Sequence, residues 1–260
     1  EISRAFDDAD FTKFDRVRYP KVVYAGMLEY DGDQHIPKHY LVNPPEITNT
    51  MGEYLTNTGI TILAMSETQK FGHVTYFWNG NRSGKVSEEL ETYEEIPSDV
   101  IPFDQAPAMK SKEITDCMVK AMESGKYDFL RCNFPNGDMV GHTGSFPATQ
   151  CSMEALDLCL ARILKVVDKL HGAAIITADH GNADEMYEVD KKGNVKHAAD
   201  GSMKAKTSHT LNRVPCIIYD NFSKDAYTVK ADDGSFGLSD VAATTVNLLG
   251  YEAPSMWDPS

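Results

Sequence analysis

The 260-residue chain has no apolar run near the roughly 18 residues that a membrane-spanning helix needs. Its longest apolar stretches, residues 21–28 and 173–177, have strand length. Positive charge is also short: 25 Lys and Arg stand against 39 Asp and Glu, a formal charge of −14. A sequence-blind nucleic-acid binder needs a basic face to neutralise phosphates, so this balance argues against that class. The five cysteines include no C-x-x-C pair. An odd, scattered set reads as buried, reduced thiols of a cytoplasmic protein and not as a disulfide framework. Neither an internal repeat nor a low-complexity tract is present. The first fifteen residues lack the basic-then-apolar order and the cleavage site of a signal peptide. What remains is an ordinary globular composition, 42% hydrophobic and 25% charged, which speaks against disorder and allows a sizeable core.

Helix and strand signals alternate along the chain. Residues 21–28 read as a strand, and Pro44-Pro45 as a linker, because two adjacent prolines fit neither regular element. Thr50 and Glu53 have capping-box spacing, and Gly59 sits where a helix ends, so a short helix is expected over 50–58. Residues 60–65 and 73–78 look like strands. An acidic, proline-punctuated stretch, 88–107, separates them from a helix that Ser111 can cap and Gly125 can stop. A strand is expected over 127–133. A long helix then has Pro147 in its first turn and ends before Gly172. Residues 173–177 read as a strand buried on both faces, 216–219 as another strand, and 239–249 as a last helix stopped by Gly250. The sum is an α/β layered fold with a largely parallel central sheet flanked by helices.

In such sheets ligands bind outside the carboxyl ends of the strands. Three segments rich in Asp and His fall at or beside that edge. They are Asn136-Gly137-Asp138-Met139-Val140-Gly141-His142, then Thr177-Ala178-Asp179-His180-Gly181-Asn182, then Thr207-Ser208-His209-Thr210. Carboxylate with imidazole suits Mn²⁺, Zn²⁺ or Fe²⁺, and no cysteine lies in these segments. Gly137, Gly141 and Gly181 would let backbone approach an ion closely or adopt conformations that other residues resist. Taken singly, each segment also reads as a turn, a surface histidine or a polar strand end. Three of them at successive strand ends point to one metal site.

The motifs N-G-D-M-V-G-H-T-G, I-T-A-D-H-G-N-A-D and S-H-T resemble those of cofactor-independent phosphoglycerate mutases, members of the alkaline phosphatase superfamily. So does E-T-Q-K-F-G-H-V-T-Y-F-W-N-G, residues 67–80. The likeness runs in order over nearly the whole chain. It implies an alkaline-phosphatase-like fold and two divalent ions, Mn²⁺ first, with Co²⁺, Mg²⁺ or Zn²⁺ as alternatives, and no 2,3-bisphosphoglycerate. By resemblance, Asp138, His142 and His209 hold the first ion, and Asp179 and His180 contribute to the second. Lys70 contacts the substrate phosphate. A lysine beside two dications needs an anion between them, which fits a site that works on phosphate. The acidity of the chain is then no obstacle to an anionic substrate, because the ions dominate the local field.

The resemblance also implies what is absent. The family's early D-G motif and its nucleophilic serine have no counterpart among these 260 residues. Ser3 and Ser66 lack the matching context. Residues 1–42 are expected to be the tail of an inserted transferase domain plus linker. Residues 43–260 would be the C-terminal part of the phosphatase-like domain, incomplete on its N-terminal side. The start at Glu1 then reads as a boundary inside a longer enzyme. The implied reaction interconverts 3- and 2-phosphoglycerate in glycolysis and gluconeogenesis through a phosphoserine, with this piece inactive alone. Two alternatives share the metal motifs: a metal-dependent phosphatase or phosphodiesterase of the superfamily, and a non-catalytic metal-binding fragment. The intact enzyme is expected to be a cytoplasmic monomer acting on a small molecule, with neither nucleic acid nor membrane as partner. His197 is read as a non-ligand and residues 188–206 as a surface insertion, while His73 is read as a packing or hydrogen-bonding residue on its strand, with a role in supporting a ligand as the alternative.

Overall fold

A computed structural model describes residues 2–29, 35–43, 45, 47–223, 225–230 and 236–258. A short helix α1, Ile2–Asp7, opens the chain. Helix α2, Met51–Asn57, starts at the expected capping box. Thr50 Oγ1 accepts the Glu53 N–H at 3.3 Å and Glu53 Oε2 accepts the Thr50 N–H at 3.0 Å. Gly59 ends it at φ +81°, a conformation that side chains resist. Strand β1, Ile62–Glu67, follows and all six of its residues are buried. A 3-10 turn, Thr68–Lys70, then leads into a one-turn helix α3, Phe71–Val74. After these come strand β2, Glu91–Ile96, helix α4, Ser111–Glu123, and strand β3, Phe129–Cys132. Helix α5 spans Asn136–Gly141, and the long helix α6, Phe146–Lys169, has Pro147 in its first turn. Strands β4, Ala174–Thr177, and β5, Cys216–Tyr219, precede helix α7, Asp240–Leu248.

β1 is the middle of a parallel sheet ordered β2-β1-β3, with Ile62 in register with Glu91 and Phe129. Because side chains alternate along a strand, β1 feeds two cores. Leu63 and Met65 pack with Ile114 and Met118 of α4 and Ile163 and Val167 of α6. Ile62 points the other way, against Met51 and Leu55 of α2 and Val246 of α7. Each such aliphatic side chain contributes about 1.5–3 kcal/mol on full burial. The expected sheet between helical layers is therefore present. Ala174 and Tyr219 of the second sheet pack against the same α4–α6 cluster, so one helical layer covers both sheets. No ladder joins the two sheets among the described residues.

Several local expectations are corrected. Residues 21–28 form no strand. Gly26 alone bridges to Tyr40, and Val23 is 94% exposed, so its apolar face has no covering layer. Residues 73–78 are a helical turn and the turns after it, closed by Phe77 N–H to Gly72 O at 2.9 Å. The acidic stretch hides β2, an edge strand whose Glu94 and Glu95 face solvent while Glu91 is buried. Lys110, not Ser111, is the N-cap of α4, and Ser111 Oγ donates back to Ala108 O. β4 is half-buried and pairs antiparallel with β5, so only the first sheet is parallel. All five cysteines are free thiols, but only Cys159 is buried, while Cys151 and Cys216 are exposed. The insertion at 188–206 is an exposed ladder of bridges, Tyr187 to Ala205, Val189 to Val195 and His197 to Met203.

Candidate metal centre

The carboxyl ends of β1, β3 and β4 carry Lys70, α5 and Asp179-His180 respectively. β5 runs antiparallel to β4, so the segment before it, 207–210, returns to the same edge. Gly181 bridges to Thr210 there, with the Thr210 N–H to Gly181 O bond at 2.8 Å. The sheet topology thus gathers all the segments singled out in the sequence.

Asp138 is the focus. It lies in the first turn of α5, and His142 caps that helix four residues on, so both project from one face. His142 Nε2 lies 2.9 Å from Asp138 Oδ1 and His209 Nε2 lies 3.1 Å from the same oxygen. The two imidazole nitrogens are 3.1 Å apart, and His142 Nδ1 is 2.7 Å from Thr207 O. His180 stacks on His209 with ring centroids 3.7 Å apart. Ligand atoms of Asp138, His180 and His209 all fall within 4.8 Å of one another. Lys70 Nζ pairs with the other Asp138 oxygen, Oδ2, at 2.5 Å.

One carboxylate with three imidazoles is a donor set for a divalent ion of the Mn²⁺, Co²⁺ or Zn²⁺ type. His142, with Nδ1 turned to a backbone carbonyl and Nε2 to the centre, has the outward hydrogen bond common in metal-ligating histidines. Burial by itself would raise the Asp138 pKa. The hydrogen bonds from Lys70 and Asn182 and the charges of Lys70 and His142 outweigh it and hold the carboxyl below its usual range, as a ligand requires.

Asp179 sits apart from this cluster. Its carboxylate is half-exposed, with Oδ2 at 3.5 Å from its neighbour His180 Nε2. Asp138, His180 and His209 thus form one group, His142 reaches the same Asp138 oxygen, and Asp179 contacts His180; the geometry marks no division of these residues between two ions. The two serines weighed in the sequence are engaged elsewhere. Ser66 Oγ is buried and donates to Asn133 O, while Ser3 Oγ shares a 3.1 Å hydrogen bond with Tyr24.

Gly141 and Gly181 bring segments against each other, and two neighbours, Asn182 and Asp184, had not been singled out from the sequence. A Cβ at Gly141 would overlap Asn182 Oδ1, and one at Gly181 would overlap Thr210 Oγ1 and Asp184. Asn182, which lay inside a quoted motif, donates from Nδ2 to Asp138 Oδ1 at 2.7 Å. Asp184 accepts from Thr210 Oγ1 at 3.0 Å and Asn212 Nδ2 at 2.7 Å, tying the second and third segments together. His73, expected to pack on a strand, is exposed three residues after Lys70. Burial and the charge of Lys70 lower its pKa, while Asp179 and Asp138 oppose them. Behind Lys70, burial raises Glu67 to about 7, with the Lys110 N–H, the Ser98 hydroxyl and the Lys110 charge opposing the rise.

The metalloenzyme superfamily profile matches residues 15–253. The 2,3-bisphosphoglycerate-independent phosphoglycerate mutase of Trypanosoma brucei brucei is 56% identical over 260 residues, 100% of this chain and 47% of that protein. Phosphoglycerate mutase 1 of the same type from Arabidopsis thaliana is 49% identical over 99% of this chain and 46% of its own length. A crystal structure of Leishmania mexicana phosphoglycerate mutase at low cobalt concentration superimposes with a TM-score of 0.94 at 51% identity, covering 100% of this chain and 47% of that one. The chain thus spans about half the length of the relatives it matches. On the profile match and these likenesses, the chain belongs to the metalloenzyme superfamily, and its relatives there are 2,3-bisphosphoglycerate-independent phosphoglycerate mutases.

Proposed function

We propose that this chain is the metal-binding portion of a phosphoglycerate mutase that interconverts 3- and 2-phosphoglycerate through a phosphoserine in cytoplasmic glycolysis. The observation that carries the reading is the convergence of Asp138, His142, His209 and His180 on one point, with Lys70 on the outer oxygen of Asp138. Asp138, His142 and His209 hold one divalent ion, Mn²⁺ by the family resemblance, which mixed carboxylate and imidazole donors accept alongside Zn²⁺ or Fe²⁺. Asp179 and His180 contribute to a second, whose other ligands come from outside these residues. Bound ions would neutralise phosphate charge and lower the pKa of an attacking hydroxyl. Lys70 binds a phosphate oxygen, and its place on a turn between β1 and α3 fixes where that phosphate sits. Residues 1–42 belong to an inserted transferase domain. Hydrogen bonds such as Lys38 N–H to Asp7 Oδ2, 2.8 Å, bind them to one another.

The reading is tested on the longer protein that carries this chain, supplied with 3-phosphoglycerate and Mn²⁺. Isomerisation to 2-phosphoglycerate without release of inorganic phosphate is expected, and phosphate release without isomerisation would make it a phosphatase. The 260 residues alone should give no turnover. Elemental analysis should show one ion lost from His142→Ala or His209→Ala and the other from Asp179→Ala. Equal metal content in all three would sink the ligand assignment.

A further inference from the structure

We propose that Asn182 is the positioning residue that fixes the Asp138 carboxylate toward the imidazoles, and that residue 141 is glycine to make room for the Asn182 amide. The inference rests on the reading of Asp138, His142 and His209 as ligands. Asn182 is 4% exposed and follows the Asp179-His180 segment. Its Nδ2 donates to Asp138 Oδ1 at 2.7 Å and to the Asp138 backbone carbonyl at 3.2 Å. One amide thus grips both the side chain and the backbone of the same residue, which fixes the carboxylate relative to α5. The gripped oxygen, Oδ1, is the one that faces His142 and His209, whereas Lys70 takes Oδ2.

The other end of the amide explains why this role is specific. Asn182 Oδ1 is buried with no hydrogen-bond partner and rests where a Cβ of Gly141 would be. A buried acceptor without a donor is costly. Turning the amide over would place that oxygen against the Asp138 carboxylate, which is worse, so the charge of Asp138 dictates the orientation. The amide is therefore placed for its donor end alone. Partners that orient a metal ligand typically change affinity by about 10–100-fold when removed.

The test is Mn²⁺ binding by calorimetry to the unsubstituted chain, Asn182→Ala, Gly141→Ala and the double variant. Asn182→Ala should weaken the tighter ion by about 10–100-fold. Gly141→Ala should weaken it too, because its methyl displaces the amide. In the Asn182→Ala background the same methyl should cost little, so the two losses do not add. Asn212→Ala is the control: it releases Asp184 in the same loops but touches no candidate ligand, so it should lower Tm and leave affinity unchanged. Unchanged affinity in Asn182→Ala, an equal cost of Gly141→Ala in both backgrounds, or an equal loss in Asn212→Ala would each overturn the proposal. Should Asn182→Ala fail to fold, Gly141→Ala carries the test, since it deletes nothing. An unsubstituted chain that binds no Mn²⁺ overturns the ligand reading and this inference with it. Binding that ignores Asn182→Ala overturns this inference alone.

Discussion

Asp138 and Asp179 stand at the ends of neighbouring segments and carry the same functional group, yet they are built differently. Asp138 is inside a helix whose backbone is fixed by bonds such as His142 N–H to Asp138 O at 2.9 Å. Its carboxylate is 12% exposed and touches Lys70, Asn182, His142 and His209. Asp179 is in a loop after β4, its carboxylate is 50% exposed, and its ion-pair contact is with its own neighbour His180. One carboxylate is oriented by the fold and the other is left for a ligand to orient. Preorganisation lowers the ordering cost of binding, so of the two proposed ions the one on Asp138 is expected to be the tighter.

The strongest way to break that comparison is to remove Asp138. Lys70 is 6% exposed and pairs with it at 2.5 Å. Deleting one partner of a buried pair leaves the other charge uncompensated, at a cost of about 3–5 kcal/mol. Asp138→Ala should therefore lower stability in urea titrations by about that amount, even without metal. A loss under about 1 kcal/mol would mean that the pair is more solvated than its burial indicates.

Glu67 sharpens the comparison from inside the same region. It is 1% exposed, more buried than Asp138, but no cation pairs with it as Lys70 pairs with Asp138: the Lys110 ammonium binds Asp99, and Glu67 Oε1 is buried without a hydrogen-bond partner. Burial therefore wins, and its pKa rises from 4.5 to about 7. The folded state binds this proton more tightly than the unfolded one, so stability falls as pH rises from about 4.5 to about 7. Asp138 has the opposite sign. Its depressed folded pKa gives stability that is present above its ordinary 3.8 and lost as pH falls below it. Glu67→Gln should match the parent below pH 4.5 and exceed it above pH 7 by up to about 3 kcal/mol. Urea titrations at pH 5 and pH 8 measure the difference, and an equal gain at both would refute the burial account.

These contrasts also show what the sequence could reveal. The cluster of Asp138, His142, His180 and His209 was legible because strand-end segments dense in Asp and His are unusual, while Asp179, in the same segments, lies outside it. The fold class was legible from the alternation of periodic helices such as α4 and α6 with short apolar strands. β2 was not, because an edge strand with Glu94 and Glu95 in solvent has no apolar alternation to see. The opposite failure occurred at residues 21–28, where apolar character was present but no neighbouring layer covers it. Asn182 and Gly141 were in plain view, but their relation spans 41 positions and exists only once the loops are packed. The Glu67 environment is similarly non-local, since Ser98 and Lys110 reach it from beyond β2.

The smallest expected effect is the one that isolates the comparison. Asp179→Ala removes a half-exposed carboxylate that supports no helix and neutralises no buried cation. Substitutions of that kind usually change stability by less than about 0.5 kcal/mol. Its urea midpoint should therefore coincide with that of the parent, while Asp138→Ala shifts far to lower denaturant. If Asp179→Ala instead destabilises the chain by more than about 1 kcal/mol, the loop after β4 is held through this carboxylate. The two segments would then be equally preorganised, and the predicted order of ion affinities would lose its physical basis.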